Sequence, residues 1–221
     1  MIEYHINHVS FNSNCILSAR VAEQWRSIQN ELGQLNHLGE VELVRYVLER
    51  VDYTASFELP YRLLLTKVPQ AITKINREYY KVHVLRVGIY AIYSREPLHQ
   101  YNFPREIVFN HQIQAQKITS KGHVTDQLLE HVATDKHPRH NLDSALRAGC
   151  LVTAVDAMVY FGCQRVASDI EALRKEYDIE TLSVKVFDTY TNRTRVVPAY
   201  RLPHSKDSFA NDVASQSVTI M

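Results

Sequence analysis

Apolar and polar side chains alternate over residues 2–8, which predicts a first β-strand. Farther along, apolar residues recur every three or four positions over 18–32 and again over 40–51, the spacing of one helical face. Ser18 stands where its hydroxyl accepts a hydrogen bond from a first-turn amide, so it is predicted to cap the first helix. The chain therefore begins with a strand and two amphipathic helices.

Residues 53–68 could form either a helix or a buried strand, because a short apolar run does not distinguish the two. Proline favours a first helical turn, and a helix is predicted over 69–80. The segment 81–94 is rich in Val, Ile and Tyr and predicts one strand with a slip or bulge near Gly88. Residues 106–119 alternate again and predict a second strand, with antiparallel pairing between the two.

A further helix is predicted over 125–133, and it leads into a polar basic segment around Pro138. We expect the domain boundary there, since linkers are polar and often contain proline. The sequence thus predicts an α+β fold class, with an α+β domain over 1–135 that serves dimerisation or partner binding, and a linker over 136–140. The last segment, 204–221, is rich in Ser and Asn and is predicted to be a flexible tail.

The C-terminal region predicts three helices in succession. The first spans 141–148, the second begins after the capping residue Thr153 and ends at Gly162, and the third spans about 164–176. The apolar face of the third helix is predicted to consist of Val166, Ala167, Ile170 and Leu173. A hairpin follows, with strands over 179–186 and 194–202 and the turn signal Thr-Asn-Arg at 191–193. Three helices followed by a hairpin is the order of a winged helix-turn-helix, predicted over 141–203.

This region also carries a specific run of residue types around the predicted turn between the second and third helices. The run resembles the small winged-helix domain common in phage and prophage proteins, and it covers about a quarter of the chain. Asp169 departs from the pattern, because the family often has a basic residue there. The matching positions are Thr153, Asp156, Ala157, Met158, Phe161, Gly162, Cys163, Arg165, Val166, Ala167, Ile170, Leu173, Arg174 and Lys175.

In a helix-turn-helix, the N-terminal residues of the recognition helix reach base edges in the major groove. Gln164 and Arg165 are the predicted base contacts, since Gln pairs with adenine and Arg with guanine. Ser168 is predicted to touch a base or a phosphate. The remaining predicted DNA contacts are basic residues on the helices and the hairpin, suited to phosphate: Arg147, Arg174, Lys175, Lys185, Arg193 and Arg195.

Charge gives this interpretation little support. The 221 residues carry a net charge of +1. Residues 1–139 hold 16 Lys+Arg and 14 Asp+Glu, residues 140–204 hold 8 and 8, and residues 205–221 hold 1 and 2. A strongly basic domain is the usual footprint of nucleic-acid binding. Without one, a local patch or a homodimer must supply the attraction to phosphate.

Other classes of protein are disfavoured by what the sequence lacks. No run approaches the roughly 20 apolar residues of a membrane span, and no secretory signal is visible, so a cytoplasmic protein without membrane contact is expected. The three cysteines are irregularly spaced and are read as reduced thiols. His-x-x-His occurs at 5–8 and 137–140 without cysteine ligands nearby, and no catalytic motif occurs. We therefore expect no metal, no cofactor and no enzymatic activity.

Two hypotheses about function remain. The first is a phage-type regulatory protein that binds duplex DNA as a homodimer and controls transcription or replication. The second is a phage protein that binds and inhibits or redirects a host protein complex, with the winged helix as a protein-docking surface. Neutral charge and the acidic residues Asp169 and Glu171 favour the second hypothesis.

Overall fold

A computed structural model describes residues 1–15, 18–133, 137–163 and 166–203. The fold is mixed α+β, as predicted. The described helices are α1 Ala19–Glu31, α2 Glu40–Leu48, α3 Glu58–Leu63, α4 Val68–Glu78, α5 Thr125–Leu129, α6 Pro138–Arg147, α7 Ala154–Val159 and α8 Val166–Leu173. The described strands are β1 Ile2–Ser13, β2 Thr54–Ala55, β3 His83–Val87, β4 Tyr90–Ser94, β5 Phe109–Thr119, β6 Gly122–His123, β7 Val152–Thr153, β8 Glu180–Asp188 and β9 Arg193–Arg201.

The chain divides into two compact units. We call residues 7–114 with 190–193 the central unit, and residues 1–6, 115–189 and those from 194 on the terminal unit. The predicted boundary at 136–140 does not coincide with any of the positions at which the chain passes from one unit to the other. Pro138 begins α6, so part of the predicted linker is helical, because proline suits a first helical position.

Helix α1 of the central unit forms where its pattern predicts. The Ser18 hydroxyl accepts a hydrogen bond from the Val21 amide at 3.2 Å, which caps the helix. The buried residues Val21, Trp25 and Ile28 follow the three- and four-residue spacing of one face. Residues 58–63, where the sequence left helix and strand open, form α3.

The segment 81–94 is a hairpin and not one bulged strand. Strands β3 and β4 pair antiparallel, with Val87 opposite Tyr90, around Gly88 and Ile89. Gly88 has a φ of 59°, a value that favours glycine at the first central residue of a two-residue turn. The expected pairing with 106–119 is also wrong: β4 lies between β2 and β3, whereas β5 belongs to the other sheet.

The terminal unit contains the core of the C-terminal helices. Strand β7 pairs antiparallel with β9, with Val152 opposite Tyr200, and β8 lies beside β9. Residues 2–4 of β1 pair parallel with residues 186–188 of β8. The strands of this sheet follow the order β6-β5-β1-β8-β9-β7. Side chains of α6, α7, α8 and the adjacent strands form one cluster that includes Leu142, Leu146, Phe161, Ile170, Leu173 and Tyr200.

Candidate functional site

Thr153 and Asp156 fix the start of α7. The Asp156 amide donates to the Thr153 hydroxyl at 3.0 Å, and the Thr153 amide donates to Asp156 Oδ2 at 2.8 Å. These reciprocal bonds form a capping box and confirm Thr153 as the predicted cap. Gly162, with a φ of 71°, then turns the chain after α7 in a left-handed conformation, as expected.

A buried polar network lies behind this cap. Lys117 Nζ is 2.6 Å from Asp156 Oδ2 and donates to the Leu151 carbonyl at 2.9 Å. The Tyr4 hydroxyl donates to Asp156 Oδ1 at 2.8 Å and lies 2.5 Å from the Thr153 hydroxyl. Side chains of Lys117 and Asp156 are 3% and 0% exposed, so the network is closed to a ligand and serves the fold.

The sequence pattern did not predict this network, although it contains one signal of it. Lys117 falls on the same side of its strand as Ile107, Phe109 and Ile113, which is an unusual place for an unpaired lysine. Its partner Asp156 stands in the predicted first turn of α7, where a carboxylate is ordinary. The pattern therefore indicated a buried cation but not the residue that neutralises it.

Helix α8 turns Ile170 and Leu173 into the core, where they are 1% and 6% exposed. Val166 packs against the same cluster, but Ala167 is exposed, which corrects its predicted inward position. Ser168 and Glu171 are exposed as expected. Gln164 and Arg165, the predicted base contacts, lie outside the described residues.

The basic residues at the end of α8 differ in their availability. The Arg174 guanidinium donates to the Ile179 carbonyl at 3.3 Å and to the Thr181 hydroxyl, so it braces the connection between α8 and β8. Lys175 is exposed. Asp169, where the resembling family often has a basic residue, is 15% exposed and pairs with Arg139 at 3.1 Å. Its charge is therefore partly balanced within the unit.

The hairpin β8–β9 offers less positive charge than predicted. Arg195 pairs with Asp188 at 2.8 Å, and the two side chains are 10% and 0% exposed. Arg193 is 8% exposed and donates to the Leu38 carbonyl, within the central unit to which residues 190–193 belong. These two arginines are corrections to the predicted DNA contacts, because burial withholds their charge from a ligand. Lys185 is exposed.

Arg147, at the end of α6, is exposed, and its guanidinium lies 3.8 Å from the Asp143 carboxylate one turn earlier. The exposed cations of the predicted DNA-contact set, among the described residues, are thus Arg147, Lys175 and Lys185, together with the braced Arg174. Arg147 ends α6, Arg174 and Lys175 are neighbours in the turn after α8, and Lys185 lies on β8. No hydrogen bond joins any two of these four described residues.

Net charge differs between the two units. The central unit has 13 Lys+Arg and 10 Asp+Glu, whereas the terminal unit has 12 and 14. The unit that contains the predicted recognition helix therefore carries a net charge of −2. Phosphate neutralisation dominates DNA affinity, so this unit by itself is poorly matched to a polyanion.

Within the described part of the chain, no group of three or more His, Cys, Asp or Glu side chains is arranged to hold a metal ion. None of the described helices has the length and apolar character needed to cross a bilayer. No protein-family model, curated protein or solved structure matches the chain.

Proposed function

We propose that the chain is a regulatory protein of the phage winged-helix type, which binds duplex DNA through α8. The observation that carries the proposal is the order α6, β7, α7, α8 and hairpin β8–β9, with β7 beside β9. In that arrangement the third helix is the one that enters the major groove. Exposed Ser168 near the start of α8 supports this use of the helix.

The contact set is smaller than the sequence predicted. Arg193 and Arg195 are excluded by burial, and the Arg174 guanidinium is held by the Ile179 carbonyl and the Thr181 hydroxyl. Lys175, Lys185 and Arg147 remain as the exposed phosphate contacts among the described residues. Gln164 and Arg165 remain the base contacts of the proposal. Three phosphate contacts correspond to a slope of about −2.7 in log affinity against log salt. Binding by one copy is therefore weak, and a dimer is needed for tight binding.

The test is fluorescence anisotropy of the full chain with a random duplex, over about 50 to 200 mM salt. The double variant Lys175→Ala/Lys185→Ala is expected to weaken binding and to reduce the salt slope by about two. Lys67→Ala, which removes an exposed lysine of the central unit, is the matched control and leaves both quantities unchanged. Absence of duplex binding at the lowest salt would overturn the proposal.

A second candidate is a protein partner that docks on the terminal unit. The net charge of −2 and the burial of Arg193 and Arg195 favour it. Glu171→Lys separates the two functions, because it reverses one exposed charge on α8. If α8 binds DNA, this variant binds duplex more tightly. If α8 binds protein, neither form binds duplex, and a nuclease-resistant partner captured by the wild type is lost from the variant.

A further inference from the structure

The hairpin β3–β4 of the central unit exposes several large apolar side chains. Val84, Leu85 and Ile89 are 48%, 38% and 78% exposed. Strand β3 is also the last strand of its sheet, which has the order β2-β4-β3. An apolar edge strand is a template for pairing with another strand, and proteins commonly protect such edges with charge or proline. Here residues 83–87 contain no proline, and Arg86 is their one permanently charged residue.

Hydrogen bonds between β4 and residue 56, on the side of β4 away from β3, show which way the amide and carbonyl groups of β3 point. The Ser56 amide donates to the Ala91 carbonyl at 2.7 Å, and the Ala91 amide donates to the Ser56 hydroxyl at 3.1 Å. The Ala91 backbone thus faces away from β3. Arg86 is the antiparallel partner of Ala91, and the two form a non-hydrogen-bonded pair. In a pair of this kind the amide and carbonyl of each residue point away from the partner strand.

The amide and carbonyl of Arg86 therefore point to the open edge of the sheet, and by strand alternation those of Val84 do too. Among the hydrogen bonds of the described residues outside regular helices and strands, none involves a backbone atom of residues 83–87. Residues 98–100 lie close to β3, but no hydrogen bond within the described part of the chain joins them to its backbone. Val84 and Arg86 are therefore positioned to form a ladder with an added strand.

We propose that β3 pairs antiparallel with β3 of a second copy of this chain, around a twofold axis at Leu85. In this register Leu85 lies opposite itself, and Val84 lies opposite Arg86 of the partner. Four backbone hydrogen bonds then join the copies, and the two sheets become one continuous six-stranded sheet. This interface stands on the geometry of the central unit and does not depend on DNA binding.

A second copy fits this edge because the strand is complementary to itself. The twofold places the half-exposed Leu85 side chains in a close cross-strand pair, which removes apolar surface from water. Each Arg86 faces a valine and not the other arginine, so no like charges are directly opposed. A two-residue slip would instead bring two Arg86 side chains closer together or leave Leu85 outside the ladder.

The experiment is sedimentation velocity of the full chain over a range of concentrations. Val84→Lys places a new cation directly opposite Arg86 of the other copy and is expected to raise the dimer dissociation constant tenfold or more. Val84→Lys/Arg86→Glu converts that repulsion into attraction across the axis and is expected to restore dimerisation. Val196→Lys, at an exposed valine of the terminal unit that is 60% exposed, is the matched control and leaves the dimer unchanged.

Rescue in the double variant separates the interface from simple loss of folding, because a misfolded chain is not restored by a second charge. A wild-type chain that remains monomeric at all concentrations overturns the proposal. So does a dimer that persists in Val84→Lys, which would place the interface elsewhere. If removal of residues 204–221 abolished the dimer, that segment would form the interface in place of the β3 edges, and the proposal would again fail.

Discussion

Lys117 and Asp156 form a buried ion pair, with 2.6 Å between Nζ and Oδ2 and side-chain exposures of 3% and 0%. The pair joins β5 to the start of α7 through two residues that are 39 positions apart in the chain. Two further groups complete it: the Leu151 carbonyl accepts from Lys117, and the Tyr4 hydroxyl donates to Asp156. The position of α7, and of the turn that leads to α8, therefore depends on residues distant in sequence.

Lys117→Met is expected to lower the free energy of unfolding by about 3–5 kcal/mol, because it leaves the Asp156 carboxylate buried without a cation. The measurement is urea unfolding followed by circular dichroism. Lys81→Met, at an exposed position of the central unit, is the control and is expected to change stability by less than about 0.5 kcal/mol. A loss below about 1 kcal/mol for Lys117→Met would show that the pair contributes little.

Stability is expected to fall with rising pH, through the buried cysteines from about pH 8.5 and through two buried tyrosines as well above about pH 10. Burial, together with the Asp156 charge, raises the pKa of Tyr4 and of Tyr160 well above the ordinary tyrosine value. The unfolded chain then loses these protons near pH 10 while the folded chain retains them. Each tyrosine therefore costs about 1.4 kcal/mol per pH unit above that point.

The measurement is urea unfolding of the wild type and of Tyr4→Phe at a series of pH values from 8 to about 10.5. Tyr4→Phe removes one titrating group, so its stability is expected to decline less steeply, even though the lost hydrogen bonds lower its starting value. A wild-type stability that stays constant across the series would contradict the assignment.

The three cysteines are expected to resist alkylation in the folded protein. Cys15, Cys150 and Cys163 are 1%, 8% and 3% exposed, and burial raises the pKa of Cys15 to about 11 and of Cys163 to about 12. The thiolate is the nucleophile, and a rise of about two units in the thiol pKa lowers the fraction of thiolate about a hundredfold. Iodoacetamide labelling of Cys15 and Cys163 at pH 8, followed by mass spectrometry, should be at least about a hundredfold slower than in urea, and labelling of Cys150 should also be slower. Rapid native labelling of Cys163 would indicate that the turn after α7 opens readily.

Gly162→Ala is expected to destabilise the protein by about 1–2 kcal/mol, because the φ of 71° is strained for any residue with a Cβ. Space is not the cause, since the nearest atom to an added Cβ is Pro138 Cγ at 3.9 Å. Gly33→Ala is the matched control: its Cβ would meet nothing within 4 Å, and its φ is not positive. That control should be neutral or slightly stabilising. Equal effects of the two substitutions would contradict the role of backbone strain at Gly162.

Elements with local signals could be predicted from the residue pattern alone. Alternation predicted β1, three- and four-residue spacing predicted α1, and Ser18 and Thr153 predicted their caps. The inward positions of Ile170 and Leu173 on α8 were also correct. These features depend on residues within about one helical turn or a few strand positions of each other, so the pattern alone contains the necessary information.

The pairing of the strands and the exposure of the charged side chains depend on long-range contacts, which the residue pattern does not contain. Alternation over 81–94 fits one strand or two, and only the pairing of β3 with β4 around Gly88 made it a hairpin. Arg195 on β9 looks the same in sequence whether its side chain faces solvent or Asp188. The parallel pairing of Ile2 with Val186, and the contact of Lys117 with Asp156, join residues far apart in the chain. Such contacts cannot be read from hydrophobic periodicity, because periodicity indicates which side of an element is apolar and not which residues pack against it.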